Sequence, residues 1–266
     1  IIRVNGNGSI RMIYQGEATG AISSSNKTGT TTGINRTTYQ YNTKWSDNTF
    51  VGYMTSKDNY EQSTSYNDAH ANLYDSNAKV AIDNWYKTNI VNKAYGGKVD
   101  INTGFCNDRE LSSGAFGYTG AGYGQQKSAY APLGRLATSE DDTWKTTQTP
   151  TLQCANKNRD LFTVSTASIG NKKLTYPVGL ITSDEIVFAG GLGGANNTSY
   201  YLYTNQNYWT ISACIYYTAH VFSVKSDGYL GYWSLQGTLG LRPVLNLRSD
   251  TKFLGEESES DTFVVI

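Results

Sequence analysis

Between Leu180 and Gly191 the chain reads Leu180-Ile181-Thr182-Ser183-Asp184-Glu185-Ile186-Val187-Phe188-Ala189-Gly190-Gly191, the stretch with the least conformational latitude in the sequence. Thr182 and Glu185 form a capping box: the hydroxyl accepts from the Glu185 backbone N–H, and the carboxylate reaches back to the N–H of Thr182. Ile181 and Ile186 stand at hydrophobic-staple positions, and Gly190 suits the left-handed residue that ends a helix. The pattern predicts a short helix from Ser183 to near Gly190. Asp184 and Glu185 fall in its first turn, where capping and the helix dipole account for them without a catalytic carboxylate pair. Gly190-Gly191-Leu192-Gly193-Gly194 follows this helix and carries no Lys-Ser/Thr, so it reads as a cap and turn, not a phosphate cradle.

Around this helix the punctuation is that of strands. Ile1–Val4 and Ser9–Tyr14 flank Asn5-Gly6-Asn7-Gly8, a hairpin signal. The strand reading starts at the first residue, as in a processed or trimmed chain. Short strands are expected at Tyr208–Ser212, His220–Val224, Tyr229–Ser234, Leu239–Leu247 and Thr262–Ile266, with a turn at Ser226-Asp227-Gly228. Asp75 to Ile90 is the longer helix: Asp75 or Ser76 caps it, and Ala78, Ala81, Ile82, Trp85 and Ile90 fall near one face. Residues from about 16 to 60 lack periodicity and read as a long loop excursion. Gly114–Gly124 and Gly194–Asn207 read as further loops.

The 266 residues suit one domain, and 22 Lys+Arg against 22 Asp+Glu leave no net charge. That balance removes the basic footprint of a nucleic-acid binder. No apolar run approaches the roughly 18 residues of a membrane span. Charged residues are 17% of the chain, and Gly, Asn, Ser, Thr and 21 Tyr fill the gap. Three cysteines make neither a zinc pattern nor a disulfide scaffold. Cys106 and Cys154 lie in polar segments and can close a long loop in an oxidising compartment. Spacing alone leaves two buried thiols as an open alternative. The secreted look of the chain favours a Cys106–Cys154 bridge, with Cys214 left over.

The order of a longer helix, a short capped helix and C-terminal strands resembles the C-type-lectin-like fold. The likeness is to the branch shared by formylglycine-generating-enzyme-like domains and the variable proteins of diversity-generating retroelements. It rests on the capped helix through Gly190-Gly191, on Trp209-Thr210-Ile211-Ser212, and on Gly240-Leu241-Arg242-Pro243. A closer likeness is to surface-protein domains of gut Firmicutes. It is carried by Tyr176-Pro177-Val178-Gly179-Leu180-Ile181-Thr182, Ser226-Asp227-Gly228, Arg242-Pro243-Val244-Leu245-Asn246-Leu247 and Gly104-Phe105-Cys106-Asn107-Asp108-Arg109. The resemblance covers roughly residues 70–266. It implies one α+β domain over 1–266, with mixed, mostly antiparallel sheets and many loops. It also implies bacterial extracellular or cell-surface display, and one sheet holding both Ile1–Val4 and about Phe263–Ile266.

The chemistry of an enzyme of that branch is missing. The C-terminal part holds Cys214 alone where formylglycine-generating enzymes use two cysteines, and the histidines are His70 and His220. Calcium-lectin phrases such as Glu-Pro-Asn or Trp-Asn-Asp are absent too, so no cofactor, metal or catalytic residue is expected. A binding face is expected instead on Ala213, Cys214, Ile215, Tyr216, Tyr217, Tyr229, Tyr232 and Trp233. Tyr and Trp there offer contact area at small entropic cost, with hardly any charge. The bland reading is that these aromatics are core, as strands favour them; Trp209 and Phe222 are assigned to core. Every residue from Thr210 to Val224 is of a type reachable from an Asn codon by changing adenines, which is compatible with retroelement diversification. The functional expectation is a non-enzymatic recognition or adhesion module for a protein or glycan ligand. A self-assembling pilus or appendage subunit is the alternative, and a formylglycine-generating-type enzyme the third.

Overall fold

The computed structural model describes residues 1–16, 28–112, 117–137, 148–217, 219–254 and 264–265. It is a mixed α+β structure with mostly antiparallel sheets and few helices. The N-terminal hairpin forms as expected: Arg3–Val4 pairs antiparallel with Ile10–Ile13, and Gly8 takes a positive φ at the turn. Ile10–Ile13 then pairs antiparallel with Val244–Leu247, completing a three-stranded sheet.

The last strand lies elsewhere. Val264–Val265 pairs with Phe253–Leu254 and not with Ile1–Val4, which corrects the expectation of a shared terminal sheet. The place beside Arg3–Val4 is taken by Ile10–Ile13, a partner only one tight turn away. A turn at Arg248–Thr251, closed by the Thr251 N–H on the Arg248 carbonyl, leads the chain into a local hairpin. Short loops cost less closure entropy than a return across the molecule. Phe263 and Ile266 lie outside the described residues.

The longer helix runs Asn77–Asn89, and Ser76 Oγ accepts from the Lys79 N–H. Ala78, Ile82 and Ile90 are buried as the periodicity requires, and Tyr86 joins them on the same face. Ala81 and Trp85 pack against the core from its margin. The expected loop excursion, about 16–60, is corrected from residue 28 onward, and residues 17–27 of it lie outside the described residues. Residues 28–60 are largely short 3-10 turns and coil, yet Ile34, Tyr41, Phe50, Val51 and Tyr53 are fully buried. They belong to one core cluster that reaches from Ile2 to Val244. Irregular backbone is tolerable there because side chains satisfy it: Asn107 Oδ1 accepts from the Tyr53 N–H, and Asp47 Oδ1 from Thr49.

The short helix is Ser183–Phe188, with the complete Thr182–Glu185 capping box and Gly190 at positive φ. Cys106 and Cys154 are joined, with their Cα atoms 5.7 Å apart, and Cys214 is buried outside the disulfide. Among the described residues no helix is long and apolar enough to cross a membrane.

Candidate functional site

The expected binding face centres on a five-stranded sheet ordered Ser128–Ala129, Tyr208–Tyr216, His220–Val224, Tyr229–Ser234, Leu192–Gly193. Its pairings are antiparallel except the last. Tyr208–Tyr216 is longer than its sequence signal and buried along its whole length. Ala213, Cys214, Ile215 and Tyr216 therefore sit inside the molecule, where no ligand in solvent reaches them. Both faces of this strand are covered, so its apolar run is that of a central strand and not of a displayed one.

Tyr217 and Trp233 are the two members of the set that are well exposed, at 54% and 46%. Register puts them at the same end of the sheet. Tyr217 follows Tyr216 directly into the turn, and Trp233 precedes Ser234, which pairs with His220 on the far side of that turn. One strand separates them, a lateral distance of about 10 Å. Lys127 places its Nζ 4.1 Å from the centre of the Tyr217 ring, a cation–π contact. The Trp233 indole lies against Gly237 so closely that a Cβ there would stand 2.2 Å from Nε1. Only glycine permits that approach.

Tyr229 and Tyr232 are half-buried and point to opposite faces, because side chains alternate along Tyr229–Ser234. Tyr229 shares its face with Trp233 and lies under Lys225, whose Nζ is 4.5 Å from the ring centre. Tyr232 instead meets His220 edge to face at 5.3 Å. The eight expected residues thus divide into four in the core, Tyr217 and Trp233 at one end of the sheet, Tyr229 on the face of Trp233, and Tyr232 on the other face. Lys127 was not expected; its position just before Ser128 carries no signal of its own until the sheet is known.

A second polar site lies at the N-terminal end of the capped helix, in a cavity of about 820 Å³. Three arginines converge on its carboxylates. Arg135, from the helix Ala131–Leu136, forks onto Asp184 at 2.9 and 3.0 Å and donates to Asp108 Oδ2 at 2.7 Å. Glu185 Oε1 faces Arg11 Nε at 2.6 Å and Arg3 Nε at 3.0 Å, while Oε2 accepts from the Thr182 N–H. Burial alone would push the Glu185 carboxyl up, but Arg11, the Thr182 N–H and Arg3 outweigh it and hold it below its ordinary value. Burial dominates at Asp108, whose carboxyl is raised in spite of Arg135. Asp108 also carries a positive φ, uncommon outside glycine. Nothing in the sequence pointed to Arg11, Arg135 or Asp108 as a group, since their partners are far apart in the chain.

Neither His70 nor His220 lines this cavity. His70 is buried, with Nδ1 donating to the Tyr66 carbonyl and its ring 4.1 Å from that of Tyr66. Among the described residues no three His, Cys, Asp or Glu side chains are grouped to hold a metal ion. Set against known protein families, curated proteins and solved structures, the chain matches none.

Proposed function

We propose that the chain is a non-enzymatic recognition or adhesion module of C-type-lectin-like type, displayed outside the cell, whose partner meets the Tyr217–Trp233 end of the five-stranded sheet. The single observation that carries this reading is the exposure of two large aromatics at one sheet end above a fully buried strand. Such side chains offer amphipathic area with little entropy to lose, and the rigid strands beneath them limit reorganisation on contact. Lys127 on the Tyr217 ring and Gly237 against Trp233 restrict both side chains further. The Cys106–Cys154 bridge supports an oxidising, extracytoplasmic setting. The histidines and Cys214 are taken up by packing, which favours binding over catalysis.

The test compares the purified chain with its Tyr217→Ala and Trp233→Ala variants on a glycan array and on an array of extracellular protein domains. Each substitution is expected to weaken binding by about 1–3 kcal/mol while stability stays within about 0.5 kcal/mol. Binding unchanged in both variants, or no binding on either array, refutes the reading.

A further inference from the structure

Arg3 and Arg135, which hold the acids of the short helix, use only part of their guanidinium groups on them. Arg135 donates from Nε and Nη2 to Asp184 and Asp108, and among the described residues its Nη1 has no acceptor. Arg3 donates from Nε to Glu185, and neither Nη1 nor Nη2 has an acceptor. The Arg135 and Arg3 side chains are 21% and 27% exposed, and these three nitrogens are not sealed from solvent. Lys157 is exposed and makes no ion pair among the described residues. All three side chains line one cavity, whose volume of about 820 Å³ falls in the range of small-molecule sites.

The acids of this wall are already engaged. Asp184 Oδ1 accepts from Arg135 and from the Thr151 N–H, and Glu185 is held by Arg3, Arg11 and the Thr182 N–H. Asp108 Oδ2 accepts from Arg135, and its Oδ1 is buried out of reach. Arg3, Arg11, Arg135 and Lys157 stand against Asp108, Asp184 and Glu185, four positive groups against three negative. What the charged groups leave free is therefore donors on a net positive wall, which suits an anion. Asp184 and Glu185 are consecutive, so Arg3 and Arg135 are drawn to one turn of helix. The Thr151 N–H on Asp184 and the Cys106–Cys154 bridge tie down the segment that leads to Lys157. The two guanidinium groups are anchored on carboxylates only 4% and 2% exposed, so their free edges are fixed before a ligand arrives. A carboxylate, with one charge and two oxygens, is matched by a single guanidinium fork. A phosphate monoester carries about two charges and three acceptor oxygens, enough for three separate cations. Leu152 and Ile169, each about half exposed, add apolar wall. We infer that this cleft binds a small phosphate monoester, its oxygens on Arg3, Arg135 and Lys157 and its apolar body against Leu152 and Ile169. Neither Tyr217 nor Trp233 lines the cleft, so the inference stands apart from the aromatic sheet end.

The experiment is isothermal titration calorimetry on the whole chain in phosphate-free buffer, with phenyl phosphate as the ligand. Inorganic phosphate, benzoate and benzylammonium are the comparison probes. Phenyl phosphate is expected to bind at least about tenfold more tightly than either of the other anions, and benzylammonium not to bind. Lys157→Glu changes an exposed side chain without an ion-pair partner; it should weaken phenyl phosphate about tenfold or more and leave the melting temperature unchanged. Arg3→Gln should weaken it by a similar factor in protein that still melts cooperatively; if that variant does not fold, Lys157→Glu decides. Tyr217→Ala and Trp233→Ala should leave the affinity unchanged. No binding of phenyl phosphate, inorganic phosphate or benzoate bound as tightly, or full affinity in Lys157→Glu overturns the proposal. Excess phenyl phosphate added to the glycan and protein arrays occupies the cleft, so binding there reports on the sheet end alone. Each site then stands or falls by its own variants.

Discussion

Replacing Glu185 by Gln removes one charge and almost no volume from a buried ion cluster. The Arg11 and Glu185 side chains are 1% and 2% exposed, and Arg3 adds a second guanidinium at 3.0 Å. In Glu185→Gln the capping geometry survives, because Gln also reaches back to the Thr182 N–H. The loss is therefore that of the ion pair: Arg11 stays buried without its counter-charge, at about 3–5 kcal/mol. For a chain of this size that lowers the melting temperature by about 6–20 °C. Urea melts at pH 7 should give this loss with an unchanged m-value. The pH course adds a second check. The folded carboxyl lies below its ordinary value, so the unfolded chain binds the proton first as pH falls. The stabilisation is complete above the ordinary Glu pKa of about 4.3 and drains away as pH drops through the folded value. The gap between wild type and variant should be flat from pH 7 to about 5 and close below that. A loss under about 1 kcal/mol at pH 7, or a gap that widens in acid, would refute the argument.

Thr182→Ala removes the hydroxyl that accepts from the Glu185 N–H and should cost about 1 kcal/mol in thermal melts; no loss would contradict the cap. The double substitution Cys106→Ser, Cys154→Ser opens a loop of 48 residues and should cost about 4 kcal/mol in the chain-entropy model, measured by denaturant midpoint against the oxidised parent. His70 is pushed from its ordinary 6.5 down to about 2 by burial and by Arg109, so its imidazole should stay neutral in NMR spectra at pH 4. The unfolded chain takes that proton below about pH 6.5, so stability falls with acid there, and His70→Phe should flatten this limb. A His70 titration near pH 6.5 in the folded protein would contradict its burial.

What the sequence disclosed follows the range of the forces involved. The capped helix was legible because its hydrogen bonds run between Thr182 and Glu185, three residues apart. His220–Val224 and Tyr229–Ser234 were legible to the residue, since a tight turn with Gly228 at positive φ fixes their register. The packing of residues 28–60 was not. Ile34, Phe50 and Tyr53 are buried singly from irregular backbone, and irregular backbone has no period to detect. Ala213–Tyr216 misled for a related reason. A strand covered on both faces loses its alternation, and an uncharged run of Ala, Cys, Ile and Tyr then has the composition of a binding surface as much as that of a core.

The acids of the short helix make the same point from the opposite direction. Capping explains why Glu185 is in the first turn, and the structure bears that out. It does not explain why the residue is buried, because a cap works equally well in water. The reason lies 174 and 182 residues away, where Arg11 and Arg3 project from the N-terminal hairpin onto the same carboxylate. Asp184, one residue earlier, is held by Arg135 from a third element. A single turn of helix, oriented by a local hydroxyl, thereby ties the N-terminal hairpin and the helix Ala131–Leu136 to one point. Glu185→Gln should for that reason loosen more than the helix itself. Hydrogen exchange is expected to quicken at Ile2 and Asn5, whose N–H groups bond to Arg11 and Ser9, ahead of the sheet that holds Tyr208–Tyr216. If the two regions exchange together, the arginines stabilise the whole molecule and do not anchor the hairpin in particular.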